Sequence, residues 1–183
     1  EHCQSKVIAL LKLFVEIALF RRGPETVPGG PQVLWLTIGL YVALTLLLQQ
    51  LLPSRIPNIL WQVPVGIVFT FGWYGVMLYL ANRPERLQQT LTAVFGYQLV
   101  MRPLLAPIDW LWPQLAKDSS LIVIVAAGAL LLLGWSLAVN ARIVRAALEC
   151  SGPAAAGLVL AEFLSSQVLF LAMLGPPPES AVP

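Results

Sequence analysis

The chain has 183 residues, of which 58% are hydrophobic and only 11% charged, with 11 Lys+Arg against 9 Asp+Glu and a net charge of +2. A soluble chain carries about 25% charged residues to solvate its outside, so this composition excludes a disordered chain, a secreted disulfide scaffold and a cytosolic enzyme. The apolar residues also come in long runs, such as the uncharged stretch from Leu121 to Val139, and runs near ~20 residues span a bilayer.

The expected architecture is all-α: an integral membrane helical bundle of five transmembrane helices preceded by an interfacial amphipathic helix. The amphipathic segment is 1–22. Within it SKVIALLKLFVEIALF, residues 5–20, sets Ser5, Lys12 and Glu16 on one narrow stripe at helical spacing. Sixteen residues reach about 24 Å, short of a hydrocarbon core of roughly 30 Å. The helix is therefore expected in the interface plane with Lys12, Glu16, Arg21 and Arg22 at the headgroups; a tilted span and packing under the bundle are the alternatives. No small-residue cleavage site follows it, which argues against a secretory signal peptide. Residues 23–31, with three prolines and three glycines in RRGPETVPGGP, form a connector.

Five spans follow, at 32–52, 59–81, 87–112, 121–148 and 154–174. The first is closed by Pro53, Arg55 and Pro57. Pro64 sits in the first turns of the second, and Asn82-Arg83-Pro84-Glu85-Arg86 makes a polar corner before the third. The third span carries Gln88, Gln89, Thr90 and Thr92 in its first turns. Pro103 and Pro107 lie toward its far end, where a break or a re-entrant course is expected. Residues 175–183 form a flexible tail. Counting bases fixes the orientation. Lys6, Lys12, Arg21, Arg22, Arg83, Arg86, Arg142 and Arg145 fall on one side, and Arg55, Arg102 and Lys117 on the other. The positive-inside rule places the N-terminus in the cytoplasm and the C-terminus outside. Trp35, Trp61, Tyr79, Trp110 and Trp112 fall at span ends, where aromatic belts form.

Three features could carry chemistry. Glu162, about 12 Å into the last span, requires a partner. Asn140, Arg142 and Arg145 on the preceding span and Ser165 and Ser166 on its own face complete an intramembrane polar cluster, either a structural clamp or a proton or ion site. Arg102 and Asp109, two helical turns apart, form an expected ion pair on the outer side. Gly157 and Ala161, with Gly134 and Ala138, recur at helical spacing as a face for close helix packing, within the bundle or against another membrane protein.

The negative inventory is informative. The sole histidine is His2, and there is no phosphate-binding glycine loop, HExxH or GxSxG. Ser165 and Ser166 lack a base, and Lys6, Lys12 and Lys117 are not placed to supply one. Cys3 and Cys150, on the cytoplasmic side, are expected as free thiols. The chain is expected to have no catalytic residues, no metal, no cofactor and no nucleic-acid partner.

At NRPERLQQTLTAVFGYQ, leading into a proline-interrupted span, and at NARIVRAAL before the last span, the chain resembles the bacterial branch of the Yip family of small five-span membrane proteins, named for Ypt/Rab-interacting proteins in eukaryotes. The resemblance is one of layout over about residues 30–175 plus those two motifs. It implies a multi-pass protein of the bacterial cytoplasmic (inner) membrane. The acidic, tyrosine-containing cytosolic motif of eukaryotic members is missing, so their role in vesicle traffic does not carry over. The expected function is a non-catalytic scaffold or accessory subunit of a larger membrane assembly, with the lipid bilayer and a membrane protein or a second copy as partners. The alternative is a small transporter or channel component using Glu162 and the third span.

Overall fold

A computed structural model describes residues 2–52, 59–115 and 120–174, with side chains described over 8–52, 60–115 and 120–173. Arg55, Lys117 and the 175–183 tail lie outside the described residues, as do the side chains of His2, Cys3, Ser5 and Lys6. The described residues hold no strand. Six α-helices follow in order: α1 His2–Ala18, α2 Pro31–Leu51, α3 Ile59–Leu80, α4 Leu87–Leu111, α5 Ser120–Leu148 and α6 Gly152–Leu174. The last five, α2 to α6, are long and apolar enough to cross a membrane. Their ends fall within a residue or two of the spans read from sequence.

The helix boundaries have local causes. Proline opens α2 at Pro31 and a short 3₁₀ turn at Pro84–Arg86 ahead of α4, where its missing N–H and fixed φ suit a helix start. Three helices close with a left-handed residue: Phe20 after α1, Asn82 after α3 and Glu149 (φ 51°) after α5. Asn82 (φ 56°) ends α3, with Arg83 N–H donating to the Leu78 carbonyl at 2.8 Å, and Phe20 (φ 60°) ends α1, with Arg21 N–H donating to the Glu16 carbonyl at 2.8 Å. The bonds at α1 and α3 are the six-to-one closure that satisfies the last carbonyls of a helix.

The third span departs from expectation. α4 is one helix of 25 residues that runs through both Pro103 and Pro107, so the broken third span is not observed. Both prolines are exposed and four residues apart, hence on one face. The bonds they delete are those to the carbonyls of Leu99 and Pro103, four residues back, and the helix continues past both.

α4 is also the hub, in contact with α1, α2, α3 and α5, while α6 packs on α5 and α3. Half of the apolar window of α4 is buried, against 28% or less in the other four. Its polar start is thereby explained: Thr90 and Thr92 are buried, Thr92 returns its hydroxyl to the Gln88 carbonyl, and Gln89 donates to the carbonyls of Glu25 and Val27. The Pro/Gly connector is pinned across α4 by those two bonds, with Val27 buried beneath it.

α1 packs along the bundle through Leu10, Phe14, Ile17 and Ala18, all buried. Phe14 lies against Gly96, where no side chain fits: a Cβ there would fall 2.3 Å from the Phe14 ring. Gly96 is nine residues into α4, about 14 Å along its axis. The end of α1 is held by α5, with Trp135 Nε1 donating to the Ala18 carbonyl at 2.8 Å and Arg142 to the Phe20 carbonyl at 2.6 Å. Glu16 pairs with Arg22 at 2.8 Å, and Lys12 is exposed beside an apolar row of Ile8, Leu11, Val15 and Leu19.

Candidate functional site: a polar cavity with a buried acid

Glu162 lies on the buried side of α6, three residues from Val159 and seven from Ala155, both buried, so it points into the bundle with them. The structure brings Asn140 of α5 to it and adds a partner unforeseen from the sequence, Tyr74 of α3. The Tyr74 hydroxyl sits 2.7 Å from Glu162 Oε2 and 2.8 Å from Asn140 Oδ1, and Asn140 Nδ2 donates to Glu162 Oε2 at 2.9 Å. The three groups form a closed triangle joining three helices. Tyr74 is 1% exposed and Glu162 9%.

Arg142 and Arg145 do not join this triangle. Arg142 reaches the end of α1, its guanidinium 5.7 Å from the Phe20 ring centroid and bonded to the Phe20 carbonyl. A cation there complements the negative end of the α1 dipole. Arg145 is exposed near Glu149, on the rim of a surface pocket that includes Cys150. Ser166 returns its hydroxyl to the Phe163 carbonyl, while Ser165 is half-buried. Among the described residues no cation pairs with Glu162.

The triangle stands at one end of a cavity of about 460 Å³ between α2, α3, α4, α5 and α6. Gln62, Gln98, Ser136, Ser166 and Gln167 supply polar lining, and Tyr41, Phe69, Phe95, Tyr97, Phe163 and Phe170 form aromatic walls. Toward the 82–86 corner the bundle is closed by fully buried Leu78, Leu91, Val144 and Ala155. The lining runs the other way, outward along α3 to Gln62, α4 to Leu105 and α6 to Phe170. Arg102 sits farther out on the same wall, donating to the Tyr41 hydroxyl at 3.1 Å with its guanidinium 5.7 Å from that ring centroid. Arg102 and Asp109 interact electrostatically along α4, but the hydrogen bond of Arg102 is to α2.

The small-residue face lies elsewhere than between α5 and α6. Gly134, Ala138, Gly157 and Ala161 are all exposed, and a Cβ at Gly134 or Gly157 would meet nothing within 4 Å. The residues that α5 and α6 bury include Val139, Ile143, Val144, Ala155 and Val159 instead. Four of these five are β-branched, and the expected packing of Gly134, Ala138, Gly157 and Ala161 within the bundle is not observed.

At the corner end, Glu149 accepts from both Arg83 and Arg86, the Arg86 contact at 2.7 Å, and Arg86 also donates to the Ala146 carbonyl at 3.0 Å. This fork ties the α3–α4 corner to the end of α5 and holds the Glu149 carboxyl down to about 2. The sequence places these arginines in the polar corner and in the base count, without showing this pairing. No protein-family profile, curated protein or solved structure matches the chain.

Proposed function

We propose that the chain is a multi-pass protein of the bacterial cytoplasmic membrane that binds a small polar solute in the cavity between α2 and α6, as a small transporter or channel component. The cavity with its buried acid carries this reading. A carboxylate in an apolar bundle is costly unless it faces protein or water, and concave sites with a few convergent polar groups are where small ligands bind. Membrane residence is supported by the exposed apolar residues, among them Leu60 at 73% and Leu131 at 75%, which far exceed what water tolerates. Exposed Trp35, Trp61, Tyr79, Trp110 and Trp112 suit the interfacial belts. The base count sets the 82–86 corner in the cytoplasm, so the cavity extends toward the non-cytoplasmic side. The exposed row Ile8, Leu11, Val15 and Leu19 on α1 supports contact with lipid, with Lys12 beside it, Arg21 and Arg22 at the headgroups. The layout also suits membership of the Yip family's bacterial branch.

The test is ligand-induced stabilisation of purified protein against a panel of small cations, anions, zwitterions and neutral solutes. A Gly66→Trp variant, which fills the cavity beside Phe170, serves as control. A member of the panel is expected to raise the unfolding temperature of the wild type and not of the variant. A panel that raises neither contradicts the reading.

A second reading, a non-catalytic scaffold or accessory subunit, or a self-assembling one, is favoured by the outward-facing Gly134, Ala138, Gly157 and Ala161. Small residues let helix backbones approach closely in lipid. It predicts that Gly157→Leu with Ala161→Leu abolishes co-purification of a membrane partner, or self-association, while leaving the monomer folded. A wild type recovered only as a monomer without companions ends it.

A further inference from the structure

The Tyr74–Asn140–Glu162 triangle has a hydrogen count with a consequence for what the cavity binds. Its three edges, at 2.7, 2.8 and 2.9 Å, are all within hydrogen-bond distance. Each edge needs one hydrogen. The Tyr74 hydroxyl supplies one, and the Asn140 amide supplies one along whichever edge its nitrogen faces. Exchanging the amide oxygen and nitrogen does not alter the sum. The third hydrogen has only one source, the Glu162 carboxyl. With Glu162 ionised, one edge would hold two oxygens with no hydrogen between them inside a buried site.

Resting on the solute-binding reading, we propose that Glu162 carries a proton while the cavity is empty and releases it to water when a small organic cation, of the alkylammonium class, takes its place against the carboxylate. The exchange balances: the carboxylic acid and the incoming cation give a carboxylate–cation pair, one edge of the triangle opens as the carboxylate turns to the cation, and the proton leaves to water through the outer part of the cavity. Three observations select a cation over an anion. Glu162 has no cationic partner among the described residues. Arg102, the cation on the cavity wall, is already engaged with Tyr41 and in electrostatic contact with Asp109. The walls carry six aromatic rings, whose faces attract a desolvated cation. The groups facing Glu162 are Tyr74 from α3, Tyr97 from α4 and Asn140 from α5, with Ser136 on α5 and Tyr41 on α2 farther along the lining. Phenols ordinarily titrate near ~10, outside the range assayed, which leaves Glu162 as the exchanging group.

The experiment is calorimetric titration of the full chain in detergent with tetramethylammonium, which has no proton of its own to lose, in two buffers of different ionisation enthalpy at pH 7. Glycine betaine and tert-butanol serve as zwitterionic and neutral probes of similar size. The expected result is tetramethylammonium binding with release of about one proton per cation, and affinity that rises with pH by up to about tenfold per unit. Glu162→Gln, which restores a donor for the third edge, should keep the fold and weaken binding at least tenfold. The wild-type pH dependence stands as the test if that variant does not fold. Cation binding without proton release overturns the proposal. Betaine or tert-butanol binding that Gly66→Trp abolishes, with no tetramethylammonium binding, overturns the proposal and leaves the cavity reading standing. Silence of all three probes overturns the proposal, and the cavity reading then stands or falls on the wider solute panel.

Discussion

The seat of Phe14 on Gly96 gives a direct way to perturb how α1 joins the bundle. A Cβ at Gly96 would lie 2.3 Å from Cδ1 and Cε1 of Phe14 and 2.7 Å from Cγ, where carbon atoms rest at about 3.5–4.0 Å. The ring must withdraw by more than an ångström. It has no room to do so, because Phe14 is fully buried and α1 is fastened by the Trp135–Ala18 and Arg142–Phe20 bonds. Overpacking of this kind costs about 1–3 kcal/mol, offset by ~1 kcal/mol because alanine is the better helix former. Gly96→Ala should therefore destabilise by up to ~2 kcal/mol. Phe14→Leu alone is also destabilising, since it leaves a void, but it removes the ring that alanine meets. The pair should be less damaging than the sum of the singles by at least ~1 kcal/mol. Unfolding by sodium dodecyl sulfate titration in mixed micelles measures all four corners of the cycle, and tryptic cleavage after Arg21 and Arg22 reports release of α1. Additivity within ~0.5 kcal/mol would refute the contact.

Two further outcomes are expected at the basic end of the bundle. Glu149 has its carboxyl lowered from 4.5 to about 2 by Arg83 and Arg86; a carboxyl lowered by folding stabilises the fold above its unfolded value and ceases to do so as pH falls through the folded one. The corner should therefore loosen between pH 4.5 and 2, read as faster amide exchange at residues 82–87, and Glu149→Gln should show that loosening already at neutral pH. Arg142→Ala removes the bond to the Phe20 carbonyl and the charge at the α1 terminus, and trypsin should cut at Arg21 and Arg22 faster than in wild type. An unchanged cleavage rate would show that Arg142 does not hold α1.

The helices were legible in the sequence because length and apolarity alone mark them and because Pro31, Asn82 and Pro84 punctuate their ends. The interior was legible only in part. Glu162 could be singled out as a buried acid in need of partners, but charge drew attention to Arg142 and Arg145. Arginine side chains are long enough to leave the apolar interior, and the Arg142 side chain has gone to a helix terminus. Tyr74 carried no signal, since a tyrosine in a span near other aromatics reads as a belt or a packing residue. The two prolines of α4 read as a break because sequence cannot tell which face of a helix they occupy. The small residues of α5 and α6 read as a packing seam for a related reason: their spacing gives a face, and only the fold shows that the face points outward.

In the proposed orientation, the cavity with Glu162 at its base extends toward the non-cytoplasmic side of the membrane. A single cysteine at Ser166, on the cavity lining, introduced after replacing Cys3 and Cys150 with serine, tests it most directly. A membrane-impermeant thiol reagent applied to intact spheroplasts should modify that cysteine, and the same reagent applied to the cytoplasmic face of inverted vesicles should not. Modification from the cytoplasmic face alone, or from neither face, would contradict the account.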